Sequence, residues 1–288
     1  MRLLVTADLH FNHPRSRPLA EDLIGQMNRA GGDVLLLVGD TAVADGDALE
    51  QCLSRFRFPG PKLFVPGNHE LWTTGGVDSY ELLQTVLPRR VRDLGWRWLQ
   101  SDPLQIDNLA LVGTLGWYDY AFAPAALRIP RRFYEHKISP GAAERFDEYA
   151  HLFSNTDDIP PESREIFARW NDAKFVRLGG RSDEQLLTEL LDVLRAQLDS
   201  LRDVPRVIAA VHHLPFRELL PPPRTAQWDF AKAFLGSPRI GEVLLAYSNV
   251  THVYCGHSHF PAEAQVGHVH ALNIGSGYRA KRFQTADL

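Results

Sequence analysis

The chain has 288 residues, 44% of them apolar and 23% charged, with 31 Lys and Arg against 35 Asp and Glu. This composition is typical of soluble globular proteins and excludes a disordered chain, a collagen-like repeat and a disulfide scaffold. The formal net charge of −4 argues against general electrostatic binding of nucleic acid, but it leaves room for a local basic groove.

The cysteines and the N-terminal residues indicate the cellular compartment in which the protein is expected. Cys52 and Cys255 lie far apart and form no CxxC or zinc-ribbon spacing, so we expect two reduced thiols in the core. No stretch approaches the roughly 20 apolar residues that span a bilayer. The opening run Met1–Val5 reaches Asp8 and His10 too soon for a signal-peptide core. We therefore expect a cytoplasmic protein without a membrane partner, and the sequence does not indicate its oligomeric state.

The first 115 residues alternate between apolar strands and helices. A first helix is predicted from four apolar residues at helical spacing, namely Leu19, Leu23, Ile24 and Met27. The pair Gly31-Gly32 ends this helix, and a polar stretch at 45–57 is compatible with a second one. The predicted strands are 3–7, 34–38, 62–65 and 109–112. Strands separated by helices indicate α/β layers rather than a β-sandwich.

The segment 118–181 departs from this alternation. It contains five prolines and interleaves aromatic side chains with basic ones, including Arg128, Arg131, Arg132 and Lys137. We interpret it as a mainly helical, irregular insertion within a single domain that spans residues 1–288. Its basic run fits a solvated helix face better than a lid that binds a phosphate.

After this segment the α/β pattern resumes. Ser182 and Gln185 have the spacing of a capping box, which predicts the start of an amphipathic helix that continues to Leu201. Further on, the pattern predicts a helix near 239–247 and strands at 207–211, 250–255 and 269–274.

Five of the predicted strands are followed directly by side chains of the metal-binding type. Taken alone, each cluster is better explained as a turn, a helix cap, a surface residue or a hydrogen-bonded polar group at a sheet end. Together they favour one site, because ligands in open α/β sheets bind just beyond the carboxyl ends of the strands. The residues are Asp8 and His10, then Asp40, then Asn68, His69 and Glu70, then His212 and His213, and finally His257 and His259.

The chemistry of these side chains suits two divalent metal ions. Carboxylate and imidazole ligands bind Mn, Fe, Zn, Co or Ni, and the lack of clustered thiols argues against a structural zinc or an iron–sulfur cluster. A carboxylate has two oxygens and can bridge a metal pair roughly 3.5–4 Å apart, an arrangement that activates water and stabilises displacement at phosphorus. A histidine is the natural acid for protonating a departing alkoxide near pH 7.

In this order, the motifs DxH, GD, GNHE, a strand-terminal His and GHxH resemble those of the calcineurin-like metallophosphoesterase superfamily. The run Asn273-Ile274-Gly275-Ser276 also resembles the NPGS turn of such domains, with Ile in place of Pro. The resemblance covers the chain from Asp8 to His259. It implies a four-layer α/β/β/α sandwich of two mixed sheets with a dimetal site at the strand ends.

The resemblance also implies roles for individual residues. The first metal would be held by Asp8, His10 and His259, the second by Asn68, His212 and His257, and Asp40 would bridge both. His69 would donate a proton to the leaving group or hold the phosphate, and a metal-bridging hydroxide would be the nucleophile. His212 is preferred over His213 as the ligand, which leaves His213 behind the ligands or facing the substrate.

One departure from the family pattern narrows the expected activity. Three residues after Asp40, where a carboxylate commonly supports the catalytic histidine, the chain has Val43. This argues against the protein Ser/Thr phosphatase branch and weakens an assignment as a cyclic-nucleotide phosphodiesterase. Glu70 or Asp45 is the alternative support that the sequence offers for His69.

The expected function is hydrolysis of a phosphomonoester or phosphodiester, on a phosphorylated small molecule or nucleotide, with manganese as the favoured metal. Trp117 and Tyr118 follow a predicted strand and suggest a substrate platform, although core packing explains them equally well. The first alternative is a nuclease or nucleotide phosphodiesterase, suggested by the basic and aromatic residues of segment 118–181. The second is a non-catalytic scaffold, which the complete set of expected ligands disfavours.

Overall fold

The computed structural model describes residues 1–287 and contains eleven strands within that range. The strands are β1 (Arg2–Thr6), β2 (Val34–Val38), β3 (Lys62–Val65), β4 (Arg97–Trp98), β5 (Leu104–Ile106), β6 (Leu109–Thr114), β7 (Arg206–Val211), β8 (Val250–Cys255), β9 (Ala262–Val266), β10 (Val269–Asn273) and β11 (Phe283–Asp287).

These strands form two mixed sheets. The first has the order β11-β1-β2-β3-β4, in which β1 to β4 are parallel and β11 runs antiparallel to β1. The second has the order β5-β6-β7-β8-β10-β9, with four parallel strands in the middle and antiparallel β5 and β9 at the edges. All strands that precede the metal-type side chains are therefore parallel within their own sheet.

Helices surround the sheets. They are α1 (Arg17–Ala30), α2 (Ala48–Leu53), α3 (Ser79–Glu81), α4 (Leu87–Asp93), α5 (Arg131–Glu135), α6 (Pro140–Ala143), α7 (Asp172–Phe175), α8 (Asp183–Ser200), α9 (Ala226–Phe230) and α10 (Pro238–Leu245). A π-helical stretch, Leu82–Val86, joins α3 to α4.

The protein has the four-layer α/β/β/α arrangement. One buried cluster lies between the sheets and combines residues such as Val5 and Leu36 with Leu111 and Ile208 of the other sheet. A larger cluster lies on the outer faces, where the sheets pack against α1, α8 and α10. Strand β2, with the sequence VLLLV, is buried on both faces, which explains why its residues are all apolar and do not alternate with polar ones.

The structure agrees closely with the elements predicted from apolar runs. Strands 34–38, 62–65 and 250–255 have the predicted bounds, and the first strand begins and ends one residue earlier than predicted. The capping box is present, since the Ser182 hydroxyl accepts from the Gln185 N–H at 3.1 Å and the Gln185 side chain accepts from the Ser182 N–H at 2.8 Å. The predicted first helix is α1, in which Leu19 is 40% exposed and Ala20 completes the buried face.

Segment 118–181 is made of short helical pieces with irregular joins, namely α5, α6, α7 and three 3₁₀ turns. Two arginines of its basic run form ion pairs: Arg131 contacts Glu135 at 2.9 Å and Arg132 contacts Asp158 at 2.6 Å. Within residues 1–287, no helix has the length and apolar character needed to cross a membrane.

Candidate metal centre

The carboxyl ends of five strands from both sheets meet at one edge of the sandwich. The loops after β1 and β2 are joined by main-chain hydrogen bonds from Asp8 to Gly39 at 3.0 Å and from His10 to Asp40 at 2.8 Å. The loop after β8 crosses to the other sheet, where the His257 N–H donates to the Asp8 carboxylate at 2.9 Å. The metal-type side chains are therefore fixed against one another across the boundary between the sheets.

The backbone at this edge is strained. Among residues 1–287, nine non-glycine residues have positive φ, and five of them carry metal-type side chains, with φ between 42° and 70°. Left-handed backbone is unfavourable for side chains with a Cβ, and such residues concentrate at functional sites. The five are Asp8, His10, Asp40, His257 and His259.

Two glycines of the motifs make room for the carboxylates. A Cβ on Gly67 would lie 2.2 Å from Oδ1 of Asp40, and a Cβ on Gly256 would lie 2.6 Å from Oδ2 of Asp8. Real Cβ atoms do not approach other atoms this closely, so any larger residue would displace the carboxylate. The glycines in GNHE and GHxH are thus required by close approach, independently of their turns.

Two groups of side chains bring potential ligand atoms within 4.8 Å of one another, and the groups share Asp40. This is the grouping that the family resemblance implies, apart from the amide of Asn68. The two Nε2 atoms of His10 and His259 are 2.9 Å apart, and Nε2 of His212 is 3.3 Å from Oδ1 of Asp40. The groups are Asp8, His10, Asp40 and His259, and Asp40, His212 and His257.

Besides Nδ1 of His10, four buried acceptor atoms in these groups and in Asn68 have no hydrogen-bond partner within the described chain. The opposite nitrogens of two histidines are fixed, because Nδ1 of His212 lies 3.0 Å from the Val38 carbonyl and Nε2 of His257 lies 3.1 Å from the Phe234 carbonyl. Each unsatisfied polar atom costs about 1–3 kcal/mol when buried, and divalent cations would satisfy all four. They are Asp8 Oδ2, Asn68 Oδ1, His212 Nε2 and His257 Nδ1.

Burial is the largest influence on the titration of these groups, but it does not set the direction for all of them. It disfavours the charged form of His212, yet the neighbouring Asp40 outweighs it and raises the pKa of that ring to about 9. Burial lowers the pKa of His257 well below its usual value and that of His259 to about 4, so both rings are neutral, the form that binds metal. Burial raises the pKa of the Asp8 carboxyl. Burial also opposes ionisation of Asp40, but the neighbouring His69 and His212 outweigh it and hold the pKa of Asp40 well below its usual value.

Asp172 holds the amide of Asn68 in place, and the sequence analysis did not identify it. It is 1% exposed and belongs to α7 in the helical segment. Its Oδ1 accepts from Asn68 Nδ2 at 2.9 Å and from Trp72 Nε1 at 2.7 Å. Its Oδ2 accepts from Tyr118 at 2.9 Å and from Trp170 Nε1 at 2.7 Å. These contacts fix the amide of Asn68, whose buried Oδ1 has no hydrogen-bond partner within residues 1–287.

The expectation that Glu70 or Asp45 supports His69 is wrong. The buried Glu70 carboxylate accepts from four main-chain N–H groups of the loops after β2 and β3, at 2.6 to 3.0 Å. Asp45 accepts from the main chain and hydroxyl of Thr74. Within residues 1–287 neither carboxylate forms an ion pair or hydrogen bond with His69. Glu70 instead joins the two loops that carry Asp40 and Asn68.

His69 lies beside the two ligand groups and lines the cavity next to them. Its ring stacks on Trp72 with centroids 3.7 Å apart and meets the edge of His10 at 4.5 Å. Its Nε2 is 3.8 Å from Oδ2 of Asp40. Burial lowers the pKa of His69, partly opposed by Asp40 and Asp172. A stacked ring at this position can face a bound phosphate while remaining outside the two ligand groups.

A cavity of about 280 Å³ opens directly onto the metal-type side chains. Its floor includes Asp40, Asn68, His69, His257 and His259, and its walls combine aromatic and basic side chains. The walls are formed chiefly by Trp72, Trp170, Trp228, Tyr278, Arg169, Arg224 and Lys232.

The three residues expected at the substrate lie behind the site, which corrects that expectation. Trp117, Tyr118 and His213 are fully buried, and none of them lines the cavity. Trp117 donates to Asp183 at 2.7 Å, and Nδ1 of His213 lies 3.1 Å from a main-chain carbonyl. His213 packs against His212 and His257 from within the core, and Trp117 and Tyr118 pack behind His213.

The segment after β10 covers the first group. Tyr278 stacks on His10 with centroids 4.3 Å apart, and Lys281 donates to the Asp8 carbonyl at 2.5 Å. Neither residue was identified from the sequence, because both lie beyond the last recognisable motif. The nearest signal was the turn at Asn273–Ser276, which places this segment beside the strand ends.

Comparison with known proteins agrees with this geometry. The family model for calcineurin-like phosphoesterases matches residues 1–261, whereas no curated protein matches the sequence significantly. Phosphopantetheinyl hydrolase from Mycobacterium tuberculosis has a similar structure, with a TM-score of 0.66, 21% identity and coverage of 96% of this chain and 89% of its own. A dimetal phosphatase from Danio rerio is similar with a TM-score of 0.54, 16% identity and coverage of 100% and 92%. The chain belongs to the calcineurin-like phosphoesterase family.

Proposed function

We propose that this protein is a dimetal phosphoesterase that hydrolyses a phosphomonoester or phosphodiester of a small molecule. The observation that carries the proposal is the pair of ligand groups that share Asp40 at the floor of the cavity. One carboxylate common to two sets of imidazole and carboxylate groups is the arrangement that a metal pair requires.

The proposed ligands divide between the groups. Asp8, His10 and His259 would hold one ion, Asn68, His212 and His257 would hold the other, and Asp40 would be available to both. When bound, two divalent ions lower the pKa of water and bring four positive charges against the two negative charges of Asp8 and Asp40, which attracts a phosphate. Manganese is the proposed metal, because oxygen and imidazole ligands both suit it.

His69 is proposed to donate a proton to the leaving group or to hold the phosphate. Its ring is kept in place by Trp72 on one face and by the edge of His10. It is 9% exposed and lines the cavity, so a substrate at the ligand groups can reach it. No carboxylate at the position of Val43 is needed to orient a ring that is fixed by stacking.

The test is turnover by the purified protein loaded with Mn²⁺, on p-nitrophenyl phosphate and its bis-ester. Asp40→Ala and His69→Ala should each abolish hydrolysis, whereas His151→Ala, an exposed histidine outside the cavity, should retain it. Wild-type rates in both site variants would refute the assignment. Fewer than one ion per chain under metal-replete conditions would favour the scaffold alternative.

Substrate and metal preference are resolved by the same assay. The protein is loaded separately with Mn, Fe, Zn, Co or Ni, and the panel of esters includes a phosphopantetheinyl ester because one structural neighbour is named for that activity. Nuclease activity has less support, since Arg131 and Arg132 are taken up in ion pairs. Hydrolysis of nucleic acid at a rate that falls steeply with salt concentration would support the nuclease alternative.

A further inference from the structure

The outer end of the cavity carries an exposed tryptophan that the proposed chemistry does not use. Trp228 belongs to α9, in a segment that follows the run Pro221-Pro222-Pro223, and it is 60% exposed. In the described part of the chain, no other aromatic ring packs against it. An indole exposed to this extent at the wall of a cavity offers a flat apolar face to a ligand.

One guanidinium accompanies this ring. Arg224 lies over Trp228, with its central carbon 5.0 Å from the ring centroid. The other cations of the cavity have acidic partners: Lys232 contacts Asp229 at 2.9 Å and Arg169 contacts a glutamate at 3.7 Å. Arg224 forms no side-chain ion pair within residues 1–287, so the cavity keeps one uncompensated positive charge beside the indole.

The size and continuity of the cavity restrict what can occupy it. Trp228 and the proposed ligands Asp40, Asn68, His257 and His259 line the same cavity, so one molecule can contact both ends. Its volume of about 280 Å³ lies at the lower end of the roughly 300–1,000 Å³ that small-molecule sites occupy. The space therefore fits a small organic phosphate and leaves no room for folded protein or duplex nucleic acid.

We propose that the substrate is an organic phosphate whose alcohol part carries a flat aromatic ring, such as a nucleobase, that stacks on Trp228 while its phosphate lies at the ligand groups. Arg224 on the indole places a positive charge next to an anionic ligand. This inference names the substrate class of the proposed phosphoesterase and rests on that function. In this proposal Trp228 binds the ring of the substrate and takes no part in the hydrolytic step.

The test compares two substrates that share the scissile bond and differ only in the ring. Adenosine 5′-monophosphate and ribose 5-phosphate are each supplied as the monoester and as the methyl diester, with Mn²⁺-loaded protein. Base stacking on an aromatic side chain is typically worth about 1–3 kcal/mol, so we expect kcat/KM for the adenosine ester to exceed that for the ribose ester by roughly 5- to 150-fold.

Variants separate ring binding from general damage. Trp228→Ala should reduce the ratio of the two kcat/KM values to near one, and Trp228→Phe should restore most of it because a flat ring remains. Phe167→Ala provides the matched control, since Phe167 is 47% exposed and does not line the cavity. Equal ratios in the wild type and in Trp228→Ala would overturn the inference.

Binding measurements distinguish failure of this inference from failure of the proposed function. Calorimetry with the same metal-loaded protein uses the phosphonate analogues of both compounds, in which a methylene group replaces the ester oxygen, and so gives dissociation constants without turnover. The ring site would be supported if the wild type binds the adenosine compound more tightly than the ribose compound and Trp228→Ala abolishes that difference. This holds even if no ester is hydrolysed, a result that would refute only the phosphoesterase function. If the protein hydrolyses p-nitrophenyl phosphate but binds the adenosine and ribose compounds with equal affinity, only the ring site would be refuted.

Discussion

Removing the carboxylate of Asp172 should weaken metal binding without touching a proposed ligand. In Asp172→Ala, Asn68 Nδ2 and the indole N–H groups of Trp72 and Trp170 lose their acceptor. The amide of Asn68 is then free to rotate, and its oxygen is no longer held in place. Loss of a residue that orients a metal ligand typically costs 10–100-fold in metal affinity or activity, which sets the expected loss.

The conservative variant Asp172→Asn should be milder for a geometric reason. Its amide nitrogen can replace Oδ2 opposite Tyr118, because a hydroxyl can accept as well as donate. The remaining oxygen still accepts from Asn68 and Trp72, and only the Trp170 N–H loses its partner. One such group costs about 1–3 kcal/mol in the free energy of unfolding, so stability should fall by that amount while metal affinity changes little.

The assay is calorimetric titration of Mn²⁺ together with denaturant unfolding of each variant. Asp183→Asn is the matched control, because Asp183 is also a buried acceptor of an indole N–H and of a lysine but contacts no proposed ligand. It should lose stability and keep its metal affinity. Wild-type affinity and stoichiometry in Asp172→Ala would refute the positioning argument.

Three further outcomes are expected. Chelation should lower the melting temperature, because a metal that binds only the folded state stabilises it, by about 2.7 kcal/mol at 100 times its dissociation constant. Re-addition of Mn²⁺ should reverse the effect, and an unchanged melting temperature would contradict metal binding. Gly67→Ala should reduce turnover at least tenfold, since its Cβ would lie 2.2 Å from Asp40 Oδ1. Gly25→Ala in α1 should not, because its Cβ would meet only Nη1 of Arg29, at an ordinary contact distance of 3.5 Å. Ser182→Ala should lower the free energy of unfolding by about 1 kcal/mol through loss of the cap and leave kcat/KM at the wild-type value.

The elements that sequence reasoning identified are those whose residues carry local information. Strand β2 is five apolar residues between a helix stop and Gly39, which suffices to define it. The convergence of Asp8, Asp40 and His212 followed from one topological rule, that parallel strands end at a common edge. These predictions needed no knowledge of distant contacts.

What escaped prediction depends on contacts between distant residues. Strand β11 has a polar sequence and is defined only by its antiparallel pairing with β1 at the opposite end of the chain. Asp172 contacts Asn68 across 104 residues, and no local pattern marks a buried carboxylate of this kind. Trp228 did have a signal, an arginine and a tryptophan following three prolines soon after a strand-terminal histidine.

The placement of the ligand groups across two sheets has a consequence for the order of folding. His10 and His259, whose Nε2 atoms are 2.9 Å apart, are separated by 249 residues. During synthesis the first group therefore stays incomplete until almost the whole chain has emerged, and closing so long a loop carries an entropic cost. We therefore expect uptake of metal to follow docking of the sheets, and nascent chains that stop before β8 should be unable to retain it.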